Sequence, residues 1–184
     1  MSLFPDSCSL LGFAGFSGSG KTTLLRHLVA LLSQRQLRVG IIKHTHHDVE
    51  QDQPGKDSFE LRHAGARQCL LAGPHRSILT YENIEATEPD LNESLSRLSL
   101  KQLDLVLIEG FRDQAINKIE IHRPQFGKPL LCLTDPHIIA VATDDPNLAA
   151  PVPLLDLNNT KVIADTIEQW WQAGRLQKVV SSTV

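Results

Sequence analysis

The sequence predicts an α/β fold with a mostly parallel, partly mixed sheet in three layers, and three observations carry that prediction. Short apolar runs recur along the chain (LLGFA at 10–14, VGII at 39–42, LDLVLI at 103–108), each the length of a strand buried on both faces. Between the first two lies a segment, 21–35, with leucines at 24, 25, 28, 31 and 32, the spacing of an amphipathic helix. Strands that alternate with helices form βαβ units, whose strands run parallel beneath helices on both faces.

The elements follow in order. After the second strand, 44–57 is polar and contains Pro54 and Gly55, so it reads as a loop. Asp57 or Ser58 is placed to cap a helix through Glu60, Leu61 and Arg62, with Gly65 as its stop. Residues 69–72 and 77–81 read as strands and 90–98 as a helix. KIEIH at 118–122 alternates, as a half-buried strand does. Three more strand candidates follow at 130–133, 138–142 and 152–155. Asn158 or Asn159 caps a last helix holding Ile163, Ile167, Trp170 and Trp171, with the tryptophans at core and rim. So many strands after Tyr81 with little helix between them suggest that part of the sheet is antiparallel or mixed. The 184 residues suit one domain, 1–184, with a core at 10–173 and a flexible tail at 175–184.

Composition narrows the function. Hydrophobic residues make up 41% of the chain, a globular value that argues against long disorder. A formal net charge of −3 argues against a chain that coats nucleic acid, whose phosphates demand a basic surface. Cys8, Cys69 and Cys132 are odd in number and widely spaced, which argues against a disulfide framework or a zinc knuckle. Residues 1–9 lack a basic segment followed by an apolar one, and no apolar run approaches the roughly 20 residues that span a bilayer. The expectation is a cytoplasmic protein without membrane association.

The chemistry is carried first by Gly15-Phe16-Ser17-Gly18-Ser19-Gly20-Lys21-Thr22, which fits G-x-x-x-x-G-K-[ST] without a mismatch, after a strand and before a helix. This is a phosphate-binding P-loop. Gly15, Gly18 and Gly20 let the backbone curl and turn its N–H groups toward phosphate oxygens, and the helix N-terminus adds partial positive charge. Lys21 is expected to reach the β- and γ-phosphates and Thr22 to place its hydroxyl on Mg²⁺. The fold expected is therefore that of a P-loop NTPase. Such a site needs a second acid at the end of a neighbouring buried strand. Glu109 follows the run 103–108 directly, and Gly110 permits a sharp exit, so Glu109 is the expected Walker B acid; Asp104, at the strand's other end, reads as structural.

The loop after the second strand holds Lys43, His44, His46, His47, Asp48, Asp52 and Lys56. One reading is a loop over the γ-phosphate in which Asp48 or Asp52 orients a water or binds Mg²⁺ through water, while Lys43 and Lys56 meet anions. A transition-metal site at His44, His46 and His47 and a merely solvated loop are the alternatives. The base is not settled by pattern. Asn117-Lys118-Ile119-Glu120 resembles a guanine-reading motif superficially, but it runs into a strand instead of out of one. Thr143, Asp144 and Asp145, or 156–159, are better placed, and ATP and GTP both remain open.

These residues resemble the MobB family, the molybdopterin-guanine dinucleotide biosynthesis adaptor proteins. The resemblance is carried by GFSGSGKTTLL at 15–25, by IIKHTHHDVEQDQPGKDSFELRHAGA at 41–66 and by LDLVLIEGF at 103–111, and more weakly by HIIAVATD at 137–144 and the final helix. It implies a P-loop NTPase fold, a homodimer, and GTP bound with Mg²⁺ and hydrolysed slowly. It also implies assistance to a MobA-like molybdenum cofactor guanylyltransferase and a link to the molybdenum insertase. By position it implies nucleotide contacts at Gly18, Ser19, Gly20, Lys21, Thr22 and Thr23, beside Gly15 and Ser17 of the loop, with Glu109 as the acid. No arginine finger is evident, although Arg112 lies just beyond Glu109, and an incomplete site suits a slow switch. The apolar, β-rich stretch 69–81 is the expected interface segment. The readings set against this one are a metal-delivery GTPase supported by the three histidines, a small-molecule kinase or ATP-dependent ligase, and a binding module with an inactive site.

Overall fold

The structure, a computed structural model, describes residues 7–85 and 87–180. The chain divides into two compact units. One runs up to His44 and resumes at Asp90; the other is Thr45–Pro89.

The larger unit contains β1 (Ser7–Ala14), α1 (Lys21–Gln34) and β2 (Val39–Lys43). It resumes with α3 (Leu91–Ser96; α2 belongs to the smaller unit), β5 (Leu105–Glu109; β3 and β4 likewise), β6 (Lys118–His122), β7 (Ile138–Thr143), β8 (Leu154–Asp156), α4 (Thr160–Gln172) and β9 (Gln177–Val180). Its seven-stranded sheet has the order β2-β5-β1-β6-β7-β8 with every pair parallel; β9 pairs antiparallel with the first half of β1. This is the mostly parallel, partly mixed α/β sheet that the sequence predicts.

Alternation of side chains across β1 and β5 builds two of the apolar cores among the described residues. Leu11 and Phe13 of β1 and Leu105 and Leu107 of β5 pack with Leu24, Leu28 and Leu32 of α1 and Ile163, Ile167 and Trp170 of α4. Cys8, Leu10, Val106 and Ile108 face the other way, onto Leu91 and Leu95 of α3 and onto Phe111. Trp171 packs at the margin of the first core. Asp90 caps α3 by accepting from the Glu93 N–H, and Asn159 caps α4 by accepting from the Val162 N–H. Asp104 accepts a forked pair of bonds from the Arg38 guanidinium at 3.0 and 2.6 Å, a structural role at the end of β5 away from Glu109.

Four expectations are corrected. The tail at 175–184 contains β9, whose backbone satisfies the start of β1; 181–184 lie outside the described residues. Residues 130–133 hold a 3-10 turn, Leu131–Leu133, because the buried Glu120 carboxylate accepts from the Leu131 and Cys132 N–H groups at 2.8 and 2.9 Å. β6 is buried along its whole length. Its alternating Lys118, Glu120 and His122 face protein, and the Lys118 ammonium donates to the carbonyls of Arg112 and Gln114 and pairs with Asp135 at 2.8 Å. Finally, neither Asp57 nor Ser58 caps the helix at 57–63: the capping position is Lys56, with no side-chain bond.

The smaller unit holds α2 (Asp57–His63) and the antiparallel hairpin of β3 (Gln68–Ala72) and β4 (Ser77–Tyr81). Arg62 organises it. Its side chain is 6% exposed, and its guanidinium bonds Glu50 at 2.6 Å and Glu82 and lies 3.8 Å from Asp52. Among the described residues no helix is long and apolar enough to cross a membrane.

Because Glu120 satisfies two backbone donors inside the fold, Glu120→Ala is expected to cost about 2–4 kcal/mol. Thermal unfolding followed by circular dichroism checks this: a midpoint unchanged from the parent chain would show that the two amides find other partners.

Candidate functional site

Parallel pairing of β1 with β5 sets Phe13 opposite Glu109, so the loop that leaves β1 emerges beside the acid that ends β5. Gly15 turns with φ +145°, and a Cβ there would stand 2.6 Å from the Ile121 carbonyl oxygen, so the loop can start this close to β6 only with glycine. Gly20, at φ +99°, is the residue before α1, and no side chain caps that helix. Its first-turn N–H groups and the positive end of its dipole point to an anion partner.

Lys21, Thr22 and Glu109 come together here. The Lys21 ammonium donates to the carbonyls of Gly15 at 2.7 Å and Phe16 at 2.9 Å. Burial pulls its pKa below the ordinary lysine value, and the nearby Glu109 carboxylate partly offsets that shift. The Thr22 hydroxyl donates to Glu109 Oε1 at 2.9 Å and lies 3.2 Å from Oε2. Lys43, opposite Glu109 in the β2–β5 register, brings its ammonium to 3.7 Å from Oε2. Ser17 and Gly18 of the loop and Thr22 and Thr23 at the start of α1 are exposed, while the Ser19 hydroxyl is buried, without a hydrogen-bond partner among the described residues.

The chain beyond Glu109 is built to a tight tolerance. Gly110 has φ +94°, and a Cβ there would lie 2.6 Å from the His44 Cβ. Phe111 follows at φ +49°, a conformation that strains a residue with a side chain. Its ring stacks on His44 with centroids 4.6 Å apart, and the His44 N–H donates to the Glu109 carbonyl at 2.8 Å. His44 therefore braces the acid's strand end. His46 pairs with Glu88 at 2.9 Å, and the His47 N–H donates to the Thr45 hydroxyl. Asp52 lies in the smaller unit, its carboxylate beside Arg62; Asp48 lines a cavity of about 390 Å³ there with Arg62, His63, Arg67 and Glu82. Arg112 is exposed, 3.8 Å from Asp113.

Of the base candidates, Asp144 accepts from Arg123 and, at 3.3 Å, from Gln125. The Thr143 hydroxyl accepts from the Asp145 N–H, Asp156 accepts from the Asn158 N–H, and Asn159 is engaged as the α4 cap. Lys118 and Glu120 are consumed inside the fold, which agrees with setting aside the motif-like 117–120. Sequence reasoning missed Arg123. The one available signal is its position, a long cation directly after a strand at the edge where the P-loop lies.

The family model described as molybdopterin guanine dinucleotide synthesis protein B matches residues 10–144. The molybdopterin-guanine dinucleotide biosynthesis adapter protein of Escherichia coli is 47% identical over 164 residues, covering 89% of this chain and 93% of that protein. Its namesake in Haemophilus influenzae is 44% identical over 163 residues, covering 88% of each. A crystal structure of molybdopterin-guanine biosynthesis protein B superposes with a TM-score of 0.71 at 26% identity, over 89% of this chain and 99% of that one. A MobB homolog from Bacillus stearothermophilus shares the fold, with a TM-score of 0.67 at 21% identity, over 89% and 98%.

Proposed function

The chain belongs to the molybdopterin guanine dinucleotide synthesis protein B family, and from that membership we propose that it is a GTP-binding adapter of molybdopterin guanine dinucleotide biosynthesis with slow GTPase activity. The observation that carries the reading is the meeting of Lys21, Thr22 and Glu109 at the start of α1.

Residues 15–23 would hold the triphosphate, with the N–H groups from Gly18 to Thr23 as donors to its oxygens. Lys21 leaves the carbonyls of Gly15 and Phe16 and pairs with the β- and γ-phosphates, a short move for a flexible ammonium. The Thr22 hydroxyl and the Glu109 carboxylate are hard oxygen donors 2.9 Å apart, which fits Mg²⁺. When bound, Mg²⁺ neutralises charge on the phosphates. Glu109 orients the hydroxyl of Thr22, and Lys43 tempers the charge of Glu109. Catalysis of this kind is mainly positioning. The Arg112 guanidinium lies 3.8 Å from Asp113, and with no arginine among the described residues bonded to Lys21, Thr22 or Glu109 the site is expected to turn over slowly, as suits a switch.

The bound nucleotide orders 44–58 for recognition by a partner in the cytoplasm, a MobA-like guanylyltransferase and the molybdenum insertase. The adapter acts as a homodimer through the β3–β4 hairpin. Leu70 opposite Leu79 and Leu71 opposite Ile78 are between 40% and 61% exposed, so both faces of this ribbon present apolar surface. A two-stranded ribbon with bare apolar faces is weak by itself and invites a second copy.

Titration with fluorescent GTP and ATP in Mg²⁺ tests the nucleotide reading. GTP is expected to bind in preference to ATP, with hydrolysis well below about one turnover per second. Lys21→Ala is expected to weaken binding by about a hundredfold. Preference for ATP with fast turnover would contradict it. Sedimentation of a Leu70→Asp, Leu79→Asp chain tests the hairpin: the parent is expected as a dimer and the variant as a monomer, and a variant dimer of unchanged affinity would place the interface elsewhere.

A further inference from the structure

Arg123 joins two segments that the proposed site needs at once. It follows β6 directly. Its Nε donates to the Ser19 carbonyl inside the P-loop at 3.2 Å, and its Nη1 pairs with Asp144 Oδ2 after β7. Gln125 Nε2 donates to the same oxygen at 3.3 Å. The guanidinium lies against the loop: a Cβ on Gly20 would stand 3.8 Å from its Nη2 and 4.0 Å from its Nε. A planar fork reaches a carbonyl and a carboxylate on opposite sides at once; the point charge of a lysine reaches only one of them. The side chains of Arg123 and Asp144 are 28% and 21% exposed, held in place yet open to a ligand. Partial burial pushes the Asp144 carboxyl up, but bonds from Gln125 and Arg123 outweigh that and hold it below the usual carboxylate range, so it is ionised at neutral pH.

The sheet order supplies the distance. β7 is two strands from β1, and strands lie about 4.8 Å apart, so the end of β7 sits about 10 Å across from the P-loop strand, the reach of a nucleoside. Asp156, one strand further out, lies beyond that reach. Guanine offers N1–H and a 2-amino group on one edge, two donors for one carboxylate. Adenine offers an acceptor at N1, which a carboxylate repels.

We propose that Asp144 reads the donor edge of guanine and that Arg123 is its positioning residue, tying base selection to the P-loop through the Ser19 carbonyl. This rests on the reading of 15–23 as a GTP site. A ligand that pulls on Asp144 also pulls, through Arg123, on the loop that holds its phosphates, so the base and the triphosphate are bound as one unit.

The experiment is competition of GTP, XTP and ATP against fluorescent GTP on the full chain with Mg²⁺. In xanthine a 2-oxo group replaces the amine, so Asp144→Asn, whose amide donates, is expected to invert the order from GTP over XTP to XTP over GTP. Arg123→Met is expected to weaken GTP by about tenfold with little effect on XTP or ATP, compressing the preference, and Arg123→Lys to restore part of it. A general loss of structure would weaken all three nucleotides alike, and that result, or an unchanged GTP-to-XTP order in Asp144→Asn, overturns the inference. Wild-type protein whose GTP binding is absent or indifferent to Lys21→Ala overturns the GTP site itself, and the inference falls with it.

Discussion

The register of β1 against β5 is the constraint on which the site depends. With Phe13 opposite Glu109, side chains of odd number on β5 face α1 and those of even number face α3. Glu109 continues the row of Leu105 and Leu107, and so meets Thr22 in the first turn of α1. A slip of one residue would turn Ile108 toward Thr22 and drive Glu109 into the apolar core around Leu95 and Phe111. The two cores forbid that slip, because it would expose or clash every aliphatic side chain of both strands. The apolar packing and the placement of one carboxylate are thus the same fact seen from two ends of a strand.

Backbone strain is concentrated where the strands end. Gly110 and Phe111 both adopt left-handed conformations, and the contact that holds them there is His44, stacked on Phe111 and bonded to the Glu109 carbonyl. β6, beside β1, solves a different problem. It sits in the middle of the sheet yet carries Lys118, Glu120 and His122, each buried. Burying a charge is costly unless it is paired. Here Lys118 secures the carbonyls of Arg112 and Gln114, and Glu120 secures the turn at Leu131–Leu133. These polar side chains hold in shape the loops that flank the P-loop strand, and Arg123 extends the same device to the P-loop itself.

Much of this was legible in the sequence. The turn at 15–20 is legible because its glycines are demanded by local backbone geometry, and Glu109 draws notice as an acid that closes a buried apolar run; the structure brings it to Thr22. What stayed hidden depends on partners distant in the chain. KIEIH alternates like a strand with one wet face, and only the sheet order reveals that both faces are covered. The strand expected at 130–133 is a 3-10 turn because of a carboxylate eleven residues earlier, at Glu120. β9 exists because β1 has backbone groups to pair beyond the reach of β6, which meets only Gly12–Ala14. Arg123 has no motif around it; its meaning lies in the bonds to Ser19 and Asp144, 104 and 21 residues away.

The central claim is that the carbonyls now holding Lys21 surrender it to a triphosphate while Thr22 and Glu109 take Mg²⁺. A crystal structure of the full chain with a non-hydrolysable GTP analogue and Mg²⁺ tests it most directly. The account predicts the triphosphate along 15–23, the Lys21 ammonium moved from Gly15 and Phe16 onto phosphate oxygens, and the metal at Thr22 on the Glu109 side. A triphosphate bound elsewhere, or Lys21 still on its two carbonyls with the analogue in place, would contradict it.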